Sequence, residues 1–130
     1  MKNRKLTGIN IQFPISQLIL EGKKNIETRT YPIPKNYVGV DLAFIETPGK
    51  NGGFKSRVVA IIRFSGCFQY ESEKQFYQDT KRHCVDKKSA WAWSDEKPKW
   101  GWEIAFCELL PTPSAPPKKK GIVFTKSVLI

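Results

Sequence analysis

Alternating apolar and polar positions, interrupted twice by helical spacing, divide this 130-residue chain into a series of strands and two helices. Residues 1–8 are polar and basic and predict a frayed terminus, and Ile9, Ile11 and Phe13, spaced by Asn10 and Gln12, predict the first strand. Pro14 suits the first turn of a helix, where a missing N–H costs nothing, and Ile15, Leu18 and Ile19 form an apolar stripe at i, i+3 and i+4. Gly22 predicts the stop, with Lys23 and Lys24 at the negative end of the helix dipole. The period then becomes two, placing Ile26, Thr28 and Thr30 on one face and Glu27, Arg29 and Tyr31 on the other. Two residues along a strand rise by roughly 6.6 Å, so Glu27 and Arg29 can reach into one pocket, with Lys24 at its lip.

Further along, Tyr31, Pro32 and Pro34 predict a loop, residues 38–45 an apolar strand, and residues 47–53 a glycine-rich hairpin connection. Residues 57–64 read as a buried strand that continues past Gly66 into 67–70, with a bulge or bend at the glycine. Ser72 and Gln75 match a capping box and open a second helix over residues 72–83. Trp102, Ile104 and Phe106 alternate and predict a late strand, with Trp102 in the core. Residues 111–120 form a Pro/Lys-rich connector to a last strand at 121–124, all within a single domain of residues 1–130.

Charge directs attention to polyanions. The chain carries 22 basic and 12 acidic residues, a formal net charge of +10 that is not confined to a tail. No apolar run approaches the ~20 residues of a bilayer span and no signal-peptide core follows the first residues, so no membrane partner and a cytoplasmic location are expected. Cys67, Cys84 and Cys107 form no Cys-x-x-Cys pair and His83 has no second histidine at ligand spacing, which argues against a metal, a disulfide framework or a cofactor. All four tryptophans fall within twelve residues. Trp91 and Trp93, and after them Trp100, stand among lysines and are candidates for stacking on bases. The triplet Lys118, Lys119 and Lys120 is the densest charge run and a candidate phosphate contact.

The pattern Gly22-x-Lys24-x-x-Glu27-x-Arg29 follows a helix entered through a proline, and precedes Tyr31 and the strand Val38-Gly39-Val40-Asp41-Leu42-Ala43-Phe44. In this it resembles the ASCH domain (activating signal cointegrator homology) of the PUA-like superfamily. The later order agrees: a valine-rich strand, Gly66, an aromatic strand, a helix bearing Gln75-Phe76, the step Lys99-Trp100-Gly101-Trp102, and a proline-bearing segment with Gly121 before the final strand. The resemblance spans roughly Ile9 to Phe124. It implies an α+β fold, a small PUA-like mixed β-barrel with helices at its edges, and a cleft beside the motif that receives RNA or a modified base. Lys24 and Arg29 would meet phosphate or a carbonyl, Glu27 would accept from a base edge or hold Arg29, and Tyr31 would supply a stacking face.

Some small ASCH-like proteins hydrolyse N4-acetylcytidine with a lysine, a threonine and a distant glutamate. Lys24 matches the lysine, but Glu27 occupies the threonine position and Thr28 would face away on an alternating strand. Glu71, Glu73, Asp79 and Asp86 all fall in the neighbourhood of the third group and none is singled out. If the chain is an enzyme, Lys24 and Glu27 are the candidate catalytic residues. A ribonuclease role finds no support in the lone His83. A third alternative is a protein partner docked on the proline-rich connector as a PPII ligand.

Overall fold

Strand β3 (Leu42–Thr47) shows why the sheet has two covered faces. Leu42 and Phe44 point into a cluster with Ile9, Ile11, Ile19, Ile62, Phe64 and Trp102, while Ala43 and Ile45 pack on the other side with Val58 and Val128. The computed structural model describes residues 4–119 and 121–130. The remaining strands are β1 (Lys5–Gln12), β2 (Ile26–Arg29), β4 (Arg57–Tyr70), β5 (Lys99–Ser114) and β6 (Phe124–Leu129), with helices α1 (Ile15–Leu20), α2 (Glu73–Gln78) and α3 (Thr80–His83). They form one mixed sheet in the order β2-β5-β4-β3-β1-β6. β1 and β3 are parallel, and the other neighbours are antiparallel.

The sheet curls until its two margins face each other. Trp102 on β5 and Phe124 on β6 belong to strands far apart in the sheet order, yet their rings stack with centroids 6.3 Å apart. Trp102 also meets Phe64 edge-on at 5.6 Å, so one fully buried indole sits at the centre of the larger core. Close approach on the other face requires Gly8, where a Cβ would lie 2.6 Å from Ile45 Cδ1 and 2.9 Å from Val128 Cγ2. The ladder does not close into the expected barrel, because β2 and β6 remain its edges. Asn10 N donates to Val123 O at 2.8 Å, and the Asn10 carbonyl accepts instead from Arg29 Nη2 at 3.2 Å, so a side chain bridges the seam that a ladder would have sealed.

Other departures from the sequence reading have local causes. β1 begins at Lys5 and not at Ile9, because Lys5 and Leu6 pair with Leu129 and Val128 on β6. Lys35–Tyr37 form a 3-10 turn and β3 starts only at Leu42, leaving Val38 and Val40 exposed. The second helix breaks at Asp79, whose carboxylate takes hydrogen bonds from the Tyr70 hydroxyl and the Arg82 guanidinium. β5 runs through Pro111 and Pro113 to Ser114. Prolines are tolerated there because β2 pairs only as far as Glu103, so this stretch has β4 alone as a neighbour.

Candidate nucleic-acid interface

Where the two margins of the curled sheet face each other, a pocket of about 400 Å³ opens. Its floor and one wall come from the segment after α1. Gly22, at φ +78°, turns the chain, and the N–H groups of Lys23 and Lys24 close on Leu18 O at 2.9 and 3.0 Å. Lys24 thus enters the pocket at the root of β2, followed by Glu27, Thr28 and Arg29, with Asn10 and Gln12 of β1 across from them.

The three charged groups of the motif converge. The Lys24 side chain is 2% exposed; its ammonium donates to His83 O and lies 3.9 Å from Glu27 Oε1. Arg29 donates through Nε and Nη2 to Glu27 Oε2, at 3.1 and 2.9 Å. Its remaining N–H groups reach Asn10 O and, at 3.5 Å, the Tyr31 hydroxyl, and the guanidinium lies 5.4 Å from the Trp102 ring centre. One carboxylate between two cations leaves a net positive floor. Burial pushes the Lys24 pKa down, against the pull of Glu27. For Arg29 burial acts in the same direction, but Glu27 and Tyr31 outweigh it and the guanidinium is held more firmly charged.

Among the described residues Glu27 Oε1 accepts no hydrogen bond; its one close partner is the Lys24 ammonium. No buried side-chain nitrogen or oxygen among those residues lacks a hydrogen-bond partner, so this oxygen is not fully sealed from solvent, and Glu27 itself lines the pocket.

Two apolar side chains stand at the rim. Trp91 is 44% exposed and is fixed on the β5 side, where its carbonyl accepts from Lys99 Nζ at 2.6 Å. Ile122 is 97% exposed and is fixed on the β1 side, where its carbonyl and that of Gly121 accept from Asn10 Nδ2 at 3.1 and 2.7 Å. Burial, then repulsion from Lys24 and Lys97, lowers the pKa of the Lys99 ammonium behind Trp91.

Of the residues the sequence singled out, Lys24, Glu27, Arg29 and Trp91 line the pocket, and Tyr31, Trp93, Trp100, Lys118 and Lys119 do not. Tyr31, partly buried, packs against the main core and does not line the pocket. It lies past the end of β2, its ring meets Trp102 edge-on at 5.7 Å, and its carbonyl accepts the Trp102 indole N–H at 2.9 Å. Trp100 pairs with Arg29 and Gln69 and packs on the main core. Trp93 packs near Phe76 and donates to Asp95 Oδ1 at 2.8 Å, away from the pocket. Lys118 and Lys119 are exposed on the segment leading to the Gly121 rim without lining the cavity, and Lys120 lies outside the described residues. His83 is buried and structural: Nδ1 accepts Val85 N–H at 2.9 Å, so Nε2 carries the proton donated to Phe76 O.

Asn10 and Ile122 were missed, and Thr28, expected to face away, lines the pocket. Thr28 lines the pocket because β2 is an edge strand whose free side forms the wall, a circumstance that face alternation does not reveal. Nothing in the local sequence marks Ile122. Among the described residues no group of three or more His, Cys, Asp or Glu is placed to hold a metal, and no helix is long and apolar enough to cross a membrane.

This curled mixed sheet is the fold of a solved ASCH protein. In particular the chain is similar to ZmASCH of Zymomonas mobilis. It matches the crystal structure of a serine-to-alanine mutant of that protein with a TM-score of 0.69 at 12% identity, covering 97% of this chain and 90% of that one. No family model and no curated protein matches the sequence.

Proposed function

We propose that this pocket receives an unpaired base of a nucleic acid, with RNA the first expectation, while the basic surface around it holds the backbone. The observation that supports this reading is the meeting of Lys24, Glu27 and Arg29 at the floor of an open cavity with Trp91 at its rim. A cavity of about 400 Å³ is of the size that small ligands occupy. Hydrogen-bonding groups below and an exposed indole above are what an unstacked base requires. The net charge of +10 supplies attraction for the phosphates. RNA is chosen over DNA on the resemblance of the Gly22 to Arg29 motif to ASCH domains.

The test is a titration of the full chain with a single-stranded RNA oligonucleotide at rising salt. Affinity should fall linearly with salt on a double-logarithmic plot. An affinity indifferent to salt, or equal for an abasic strand of the same length, would exclude the reading.

One observation favours a second reading, hydrolysis of an acylated nucleoside. The buried Lys24 amine has a pKa lowered by burial, and Thr28 lines the same pocket. Acetate release from N4-acetylcytidine would support it only if lost in Lys24→Ala.

A further inference from the structure

The polar groups buried around the pocket are not equally free to meet a ligand. Arg29 is committed to Glu27 Oε2, Asn10 O and the Tyr31 hydroxyl. The side chain of Asn10 is committed to the carbonyls of Gly121 and Ile122 and accepts from Thr125 Oγ1 at 3.3 Å. Glu27 Oε1 alone among these has lone pairs without a hydrogen-bond donor; Glu27 lines the cavity, and the Lys24 ammonium lies 3.9 Å from this oxygen. A ligand that fills the cavity without donating to this oxygen excludes solvent from it and leaves an anionic acceptor desolvated and without a hydrogen bond, which is costly. A phosphate is disfavoured there for the same reason, since it would bring a second anion against a carboxylate whose guanidinium partner is already engaged.

Resting on the proposed base-binding function, we infer that Glu27 Oε1 is a specificity-determining acceptor: the pocket selects bases that carry an N–H donor on the Watson–Crick edge, held between Trp91 and Ile122. Phosphate contact then falls outside the cavity, on groups such as Lys118 and Lys119. The Lys24 ammonium beside the oxygen serves the acceptor that adjoins the donor on such an edge. The apolar rim supports the same geometry. Ile122 is 97% exposed and Trp91 44% exposed, each anchored by its own carbonyl, so both present apolar area that an inserted planar ring would cover.

Competition against a labelled RNA tests this with the full chain. Hexamers of uridine, cytidine and adenosine are compared with hexamers whose bases lack the edge donor: N3-methyluracil, 2-pyrimidinone and unsubstituted purine. The expected result is that the tightest natural hexamer binds at least about tenfold better than its donor-free counterpart, because a site built around a hydrogen bond rejects analogues that cannot make it. In Glu27→Gln the Arg29 donors retain the side-chain oxygen and turn the amide NH2 toward the cavity, converting acceptor to donor. The discrimination should then vanish or reverse, with cooperative thermal unfolding retained as a check on folding.

Equal binding of natural and donor-free hexamers, both above an abasic hexamer, would overturn the inference and leave the base pocket standing. Equal binding of all three kinds of strand, or none, would overturn the base pocket and the inference with it. Discrimination that persists in Glu27→Gln would assign it to another group.

Discussion

Two buried carboxylates, built on the same sheet, behave in opposite ways. Glu46 on β3 is fully buried and both its oxygens are saturated: Oε2 accepts from Ser16 Oγ at 2.6 Å and Gln17 Nε2 at 2.5 Å, and Oε1 from Arg57 Nε at 2.9 Å. Burial alone would raise its pKa, but those hydrogen bonds outweigh it and hold the carboxyl below the usual range. Glu27 on β2 is nearly as buried, with 8% of its side chain exposed, yet only one oxygen is hydrogen-bonded. The first arrangement ties α1 to the sheet and leaves nothing over for a ligand. The second leaves one oxygen with an ion pair to Lys24 and no hydrogen-bond donor. A buried charge is evidence of a site when its bonding is unfinished, not merely because it is buried.

Breaking Glu46 should give the largest effect on the fold. Glu46→Gln places an amide NH2 against the donors of Ser16 and Gln17 or of Arg57, and should cost about 3 kcal/mol in urea denaturation while RNA affinity stays unchanged. A loss of affinity comparable to that of pocket variants would erase the contrast between the two carboxylates. On the other side, Trp91→Ala should weaken single-stranded RNA binding by about 2 kcal/mol, roughly thirtyfold, measured by fluorescence anisotropy. Its urea midpoint should move little, because the indole is already half exposed.

Acid stability separates the buried His83, whose carbonyl holds Lys24, from the carboxylates. Burial, the largest influence, lowers the His83 pKa from its ordinary 6.5, with repulsion from Lys24 and Lys99 acting in the same direction and the Phe76 carbonyl and Asp79 opposing. A base with a depressed folded pKa contributes stability that is complete above the unfolded value and is lost as pH falls through the folded one. Urea midpoints should therefore decline as pH drops below about 6.5, and His83→Gln should flatten that decline. Glu46, Asp41 and Asp79, whose pKa values are lowered, should add their losses only below the ordinary carboxylate range. The smallest effect belongs to the rim loop. Replacing Lys118 and Lys119 together by alanine should weaken RNA binding a few-fold and reduce the salt slope by about 1–2, without altering discrimination among bases.

Much of the fold was legible in the chain because it is written in short periods. Alternation located β1, β2 and the first part of β5, and the stop at Gly22 predicted where α1 would hand over to the strand. The break at Asp79 was not legible, since it depends on Tyr70 and Arg82 reaching one carboxylate, and neither was the extension of β5 through Pro111 and Pro113. The open seam was hidden for a similar reason. Whether a curled sheet seals depends on how the last paired residues of β1 and β6 meet β2, and those segments are distant in sequence.

The sequence by itself determined that Glu27 and Arg29 share a face beside Lys24, because residues two apart on a strand must do so, and that the surface is strongly basic. Tertiary structure alone decided that Tyr31 and Trp100 would pack on the core and Trp93 against Phe76, that Trp91 and Ile122 would stand at the rim, and that one oxygen of Glu27 would accept no hydrogen bond. The physical reason is that orientation along a strand is a local property of the backbone, whereas exposure and hydrogen-bond saturation are set by which distant segments arrive to cover or satisfy each group.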